Sequence, residues 1–466
     1  MANPIARKRL QIGAALGLGL IMRLAFITNA ARIAGDTLLY GDIAKNWMQA
    51  GVYGFSKTDA GAVIPTLIRL PGYPIFLAAC FRVFGTDHYF QVMLLQCLID
   101  LLSCILIADL ARRLFGDRAG IFTLWLAALC PFTANYVAAP LTETLTLFCI
   151  AAGFYGVERW RSDGAAWNRW LVLIIAALAY AILLRPEQGL LAAAIMPAMF
   201  WSIRHDLGSR GASAVLPVLV AGLCVLLPLL PWTVRNWRTF HVFEPLAPRY
   251  ATDPGEKIPR GFQRWFKTWA IDFSSTENVY WNWDSDEVNI DDVPSRAFDS
   301  NEQYNRTNKL LEIYNQDNNA TPQIDKEFEL LAEERIVADP VRYYVALPFA
   351  RLADMLLRPR TEMMEVGLHW WQWRQHPGRT SLVLLYGALN LAYCVIGIWG
   401  LWLWRRAGWA GAAPIAWATM VFVVLRCGLL LTLDNSEMRY TLEFFPVFQL
   451  WAGGLLSVHR NNIRHP

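Results

Sequence analysis

Several polar residues in an otherwise apolar chain have the type and spacing for general acid–base chemistry. In Gly35-Asp36-Thr37-Leu38-Leu39-Tyr40-Gly41-Asp42-Ile43-Ala44, Asp36, Tyr40 and Ala44 recur every four residues and form one stripe on a helix, with Asp42 well round from it. A carboxylate at a water–lipid boundary, set against an apolar wall, is partly desolvated and can act as a general base. The bland alternative is that Asp36 caps a short interfacial helix. Glu143 opens another apolar stretch, where an acid either complements the helix N-terminus or faces Asp36 across a cavity as a second carboxylate.

Positive charge is placed with the same economy. Arg69-Leu70-Pro71-Gly72-Tyr73-Pro74 precedes an apolar run to Gly85 that is too short to span and reads as an interfacial or re-entrant helix. Its prolines fix the approach of the chain, and Gly72 permits an unusual turn. Arg69 suits a phosphate through charge-assisted bonds, or simply snorkels. Arg185-Pro186-Glu187, Pro231-Trp232-Thr233-Val234-Arg235-Asn236 and Glu437-Met438-Arg439-Tyr440 place three more arginines at the ends of apolar runs. HExxH, GxGxxG and P-loop patterns are absent, which leaves metal-hydrolase, dinucleotide and nucleotide-triphosphate readings without support.

The elements that must position these residues are helices in lipid. The chain has 466 residues, 55% hydrophobic and only 17% charged, against about 25% charged in soluble domains. Ten stretches of about 20 residues, the length that crosses hydrocarbon, run roughly over 10–30, 90–111, 119–138, 142–159, 168–184, 187–203, 213–231, 382–404, 411–431 and 441–458. A soluble enzyme, a disulfide scaffold and a disordered protein are excluded. The net charge of +4 and the lack of a basic aromatic cluster exclude nucleic acid. All eight cysteines lie in apolar stretches, as free thiols rather than metal ligands or disulfides.

With the N-terminus in the cytoplasm, the inside loops hold Arg7/Lys8/Arg9, Arg112/Arg113/Arg118, Arg159/Arg161/Arg169, Arg204/Arg210, Arg405/Arg406 and Arg460/Arg464, as the positive-inside rule requires. Both termini are then inside. Two large outer segments follow, about 31–89 and 232–380. The second carries 23 of the 38 acids and nine tryptophans, among them Trp265, Trp269, Trp281, Trp283 and Trp370, as expected for helices at the headgroup level. Three regions result: 1–231 as a membrane catalytic module, 232–381 as an outer segment, and 382–466 as the last three spans and a tail. Arg23, Asp100 and Arg426 fall within spans, where such residues face the bundle interior, and Arg23 and Asp100 lie at depths that suit an ion pair.

In register with this topology, the motifs resemble the GT-C superfamily of integral-membrane glycosyltransferases, and within it the dolichyl-phosphate-mannose protein mannosyltransferase and lipid A aminoarabinose transferase family. The family's D-E-x-x-Y-x-x-x-A is matched by Asp36, Tyr40 and Ala44, with Thr37 in place of the second acid. Its R-P-P-G-Y-P with a closing F-G is matched by Arg69 to Pro74 and Phe84-Gly85, with Leu70 in place of one proline. Glu143, Arg185 to Glu187, Pro231 to Asn236 and Arg439-Tyr440 match the remaining elements.

The resemblance implies an all-α polytopic membrane protein of about ten spans, with interfacial helices in the first outer loop and a large outer segment between spans seven and eight. It implies transfer of a sugar from a polyprenyl-phosphate-linked donor to a lipid, glycan or protein acceptor on the outer face of the membrane, a bacterial inner membrane being the expected setting. Asp36 is the expected base, with Glu143 and Asp42 as further catalytic candidates. Tyr40, Arg69, Tyr73, Arg185, Arg439 and Tyr440 are the expected substrate contacts. No motif requires a cofactor, and a divalent metal is left open at the carboxylates. Two rivals stand beside this reading: a transporter or flippase of an anionic lipid or lipid-linked sugar, and a ligase or polymerase using a lipid-diphosphate oligosaccharide.

Overall fold

The computed structural model describes residues 4–57, 62–206, 212–283, 285–364, 366–367, 371 and 373–456; Arg210, Arg460, Arg464, Asp284, Glu365 and Trp370 lie outside the described residues. It is mostly helical and divides into two compact units, one of Met1–Gly255, Leu391–Val423 and Leu442–Pro466, the other of Glu256–Asn390 and Val424–Thr441. In chain order the first stretch comprises α1 (Pro4–Asn29), α2 (Asp36–Ala50), strands β1 (Gly54–Ser56) and β2 (Val63–Pro65), α3 (Gly72–Phe84), α4 (Tyr89–Phe115), α5 (Asp117–Ala128), α6 (Pro131–Ala134), α7 (Glu143–Ser162), α8 (Arg169–Leu184), α9 (Gly189–Asp206), α10 (Ala212–Leu226) and α11 (Leu229–Phe240). The chief helices after these are α12 (Arg260–Lys267), α13 (Asn301–Tyr314), α14 (Pro322–Ala338), α15 (Leu347–Leu357), α16 (Pro377–Arg406), α17 (Ala413–Leu430) and α18 (Phe445–Gly453).

Among the described residues, helices run through each of the ten apolar stretches, with breaks in several. Five helices among the described residues are long and apolar enough to cross a membrane: Ile5–Asn29, Tyr89–Phe115, Val215–Phe240, Pro377–Arg406 and Ala413–Leu430. A sixth candidate, Asp117–Ala128 with Pro131–Ala138, is bent by 48°, because Pro131 cannot continue the hydrogen-bond ladder of α5. Others are shorter or, like α7, carry charge at both ends. A two-stranded antiparallel hairpin, Gly54 opposite Pro65 and Ser56 opposite Val63, departs from the all-helical expectation. It is stitched to α2 through Asp42, which accepts from the Ser56 amide at 2.7 Å and its hydroxyl at 2.8 Å.

Small residues bring the first helices together: Ala15, Cys104, Ala108, Ala127 and Ala128 form a buried seam with Leu124, the packing expected where no hydrophobic effect separates helix from lipid. Arg23 and Asp100 lie on that seam. The Arg23 Nε donates to Asp100 at 2.7 Å and its Nη1 to the Ala128 carbonyl at 2.7 Å, both side chains being almost wholly buried. The expected ion pair is therefore present; Nη1 also reaches the Gly19 carbonyl and Nη2 the Cys104 sulfur.

The second unit has a core of its own. Trp283 is stacked between Phe262 (3.8 Å between centroids) and Tyr314 (4.2 Å), with Phe328 edge-on to Phe262 and Trp283. This corrects the headgroup placement for Trp265, Trp269 and Trp283, all buried here. The ring face of α12 packs in one cluster with Phe328 and Leu331 of α14, so these rings are satisfied by protein; Trp281 and Trp373 do remain exposed.

Candidate active site

Asp36 is the first residue of α2, and the cap position before it is taken by Gly35 with no side-chain cap bond. The Asp36 carboxylate, in the first turn of the helix, meets Arg69, whose Nη2 donates to its Oδ1 at 2.9 Å. Each side chain of the pair is about one-quarter exposed, so it stands at an accessible boundary rather than in the core. One turn on, the buried Tyr40 ring lies 5.9 Å from the Arg69 guanidinium and meets Tyr73 edge-on at 5.1 Å. Tyr73 in turn donates to Gln96 at 2.7 Å, and Gln96 donates to the carbonyls of Val137 and Ala139. The stripe of Asp36, Tyr40 and Ala44 read from the spacing is thus real, with Tyr40 and Ala44 packed inward.

A second set of charges converges on Arg185, at the end of α8. Its Nη1 stands 3.4 Å from the buried Glu143 at the start of α7 and 3.7 Å from the buried Glu443, and its Nε donates to Glu187 at 2.7 Å. Gln188 donates to Glu443 at 2.6 Å. Burial pushes the Tyr40 phenol up to about 12 against the pull of Arg69, and Asp36, Glu143 and Arg185 also act on it. Tyr40 therefore feels both charge sets at once and stays protonated at neutral pH, as a donor rather than an acid.

Gly72 brings the two sets together. A Cβ on this residue would come within 2.5 Å of the Leu183 carbonyl group, and the Tyr180 hydroxyl donates to the Gly72 carbonyl at 3.1 Å. The glycine serves close packing of α3 on the end of α8, not an unusual turn: Pro71 before it is in the right-handed helical region. Two residues separate Gly72 from Arg69, and one separates Leu183 from Arg185, so this contact sets the approach of the arginines.

Asp42 is committed to Ser56 of the hairpin. Arg439 and Tyr440 belong to the second unit, where Arg439 Nε lies 2.5 Å from Glu437 and the Tyr440 hydroxyl donates to Glu437 at 2.6 Å. Buried Arg426 donates to the Tyr440 carbonyl at 3.1 Å in the same unit. Arg235 bonds backbone carbonyls of Tyr53 and Thr66, so an anionic ligand is not needed to account for its charge. Glu443 and Gln188 were missed by the motif reading. Glu443 could have been found by the rule that exposed Arg23 and Asp100, since it falls in the stretch 441–458 and an ionisable residue in a span marks a site. Among the described residues, no group of three or more His, Cys, Asp or Glu is arranged to hold a metal ion.

A fold similar to this one is found in solved structures. The oligosaccharyltransferase of Archaeoglobus fulgidus, tethered with an acceptor peptide, superposes with a TM-score of 0.51 at 11% identity over 97% of this chain and 50% of that one. The oligosaccharyltransferase AglB of the same organism, in complex with an inhibitory peptide and a dolichol-phosphate, gives 0.50 at 12% identity over 98% and 51%. ArnT from Cupriavidus metallidurans bound to undecaprenyl phosphate gives 0.36 at 14% over 96% and 78%. The chain spans about half the length of the archaeal proteins it matches. In sequence, residues 69–232 match the family model of dolichyl-phosphate-mannose-protein mannosyltransferase. That segment contains Arg69, Gly72, Glu143 and Arg185, and the match agrees with the family resemblance read from the motifs. No curated protein matches the sequence.

Proposed function

We propose that the protein is a membrane glycosyltransferase that moves a sugar from a polyprenyl-phosphate carrier to an acceptor hydroxyl. The observation that carries the reading is the Asp36–Arg69 pair: partly exposed, and beside a second carboxylate–arginine set. Asp36 takes the proton of the acceptor hydroxyl as its oxygen attacks the anomeric carbon. The bond from that carbon to the phosphate oxygen breaks, and the polyprenyl phosphate leaves with the electron pair. A phosphate monoester leaving group needs no general acid, which suits a site whose neighbouring phenol is held protonated. Arg69 and Arg185 supply the positive charge that accompanies the phosphate. Glu143 orients the acceptor or the base, and Tyr40 and Tyr73 line the wall. Arg439 and Tyr440 remain proposed contacts of the donor.

Small, basic inside loops and large outer segments support a site on the outer face, with both termini in the cytoplasm. The test is sugar release from polyprenyl-phosphate-linked monosaccharides by reconstituted protein, wild type beside Asp36→Asn. Turnover by the wild type and none by folded Asp36→Asn is the expected result. Turnover by both keeps the enzyme and moves the base to Glu143 or Asp42. Bound polyprenyl phosphate with no turnover shifts the weight to a transporter or to a diphosphate-linked donor.

A further inference from the structure

We propose that Arg235 and Tyr53 are positioning residues for the Asp36–Arg69 pair, a role that rests on Asp36 acting as the base. Arg235 projects from α11, and its fork donates to the Thr66 carbonyl through Nη1 and to the Tyr53 carbonyl through Nη2, each at 2.7 Å. Tyr53 directly precedes β1 and Thr66 directly follows β2, so one guanidinium pins both ends of the hairpin. The Thr66 amide also donates to the Tyr53 carbonyl, at 3.1 Å. The guanidinium carbon lies 5.2 Å from each of the Tyr53, Trp232 and Phe240 rings. Tyr53 and Trp232 are themselves buried and packed edge-on at 5.1 Å.

The consequence appears three residues past the pinned Thr66. The Tyr53 hydroxyl donates to the Arg69 carbonyl at 2.9 Å, and Asp253 accepts from the Leu67 amide at 2.8 Å. The segment 66–69 is therefore held at Thr66, Leu67 and Arg69 in turn. Its last residue then extends its side chain to Asp36 at 2.9 Å. Arg235 and Tyr53 thus set where the Arg69 guanidinium stands by fixing the backbone that carries it. A planar fork reaches two carbonyls at once, which a lysine ammonium on a flexible stem does not.

The test uses the full-length reconstituted protein and a polyprenyl-phosphate-linked monosaccharide, with the folded fraction measured for each variant. Tyr53→Phe keeps the ring and removes only the bond to Arg69. It is expected to lower kcat per folded molecule roughly tenfold, the scale of a small misplacement of reacting groups, with little change in donor KM. Arg235→Lys is expected to lose more than Tyr53→Phe and less than Arg235→Met. A merely structural role would lower the folded fraction or Tm and leave kcat per folded molecule intact. Wild-type kcat in folded Tyr53→Phe and Arg235→Lys overturns the proposal, and Tyr53→Phe decides alone if the arginine variants do not fold. Turnover by folded Asp36→Asn overturns the base reading instead. An inactive Asp36→Asn beside fully active Tyr53→Phe sinks the positioning role and leaves the base in place.

Discussion

Gln188 donates its side-chain amide to Glu443 across 2.6 Å, joining two buried residues that lie 255 positions apart in the chain. The same carboxylate stands 3.7 Å from Arg185. One guanidinium is thus shared by Glu143, Glu187 and Glu443, and Arg185 is held by acids reaching it from α7, from its own loop and from the segment before α18.

Glu443→Leu should therefore leave the Gln188 amide and part of the Arg185 charge without their buried acceptor. A lost buried hydrogen-bond partner costs about 1–3 kcal/mol, which thermal unfolding in detergent would register. Glu443→Gln keeps the shape and an acceptor for Gln188, so its Tm should fall less while sugar transfer still drops. Unchanged transfer in both variants would remove Glu443 from the site.

Arg23 and Asp100 form an ion pair whose side chains are both under 3% exposed. Removing one partner strands the other charge, at a cost of about 3–5 kcal/mol. Asp100→Leu should accordingly reduce folded yield severely. Arg23→Met combined with Asp100→Leu should recover much of it, since a matched apolar pair needs no counter-charge. Wild-type stability of Asp100→Leu alone would show that the pair contributes nothing to the fold.

Gly72→Ala places a methyl group against the Leu183 carbonyl. The strain of overpacking is about 1–3 kcal/mol, but the larger effect should be on turnover, because α3 can be relieved only by moving away from α8 and so carrying Arg69 from Arg185. Transfer should fall by more than the loss of folded protein explains. A fall in step with folded protein would reduce Gly72 to a packing residue.

In the second unit, Arg342 bonds both Asp299 oxygens at 2.8 Å and, with Arg335 adding to it against some burial, holds this carboxyl below the usual carboxylate range. A carboxyl whose folded value is depressed contributes stability that is present above its unfolded value, near 4, and is lost as pH falls through the folded value. Resistance of the buried Trp283 fluorescence to urea should hold from pH 7 to about 5 and weaken below about 4. Arg342→Met should flatten that loss. An acid profile identical in wild type and Arg342→Met would show that the clamp does not act on stability.

Much of the site was legible because its residues announce themselves against lipid. A charge in an apolar stretch needs a partner, and Arg23 with Asp100 found each other on depth alone. The four-residue spacing of Asp36, Tyr40 and Ala44 required a common helix face, and α2 provides it. The commitments of the remaining polar groups were not legible. The spacing sets Asp42 well round from the Asp36 stripe, but that it accepts from Ser56 of the hairpin was not legible. Trp265, Trp269 and Trp283 look like interfacial residues, because sequence does not show whether an aromatic face meets lipid or a neighbouring helix.

The sequence by itself determined what local physics controls: helices along the apolar runs, free thiols, and acids and arginines at helix ends. The tertiary structure alone decided which of those charges meet. Arg69 to Asp36 spans 33 positions, Arg185 to Glu143 spans 42, and Gln188 to Glu443 spans 255. No periodicity carries over such separations. They are fixed by close approach of helices, as where Gly72 meets Leu183, and by the need of each buried charge to find a partner wherever the packed chain brings one.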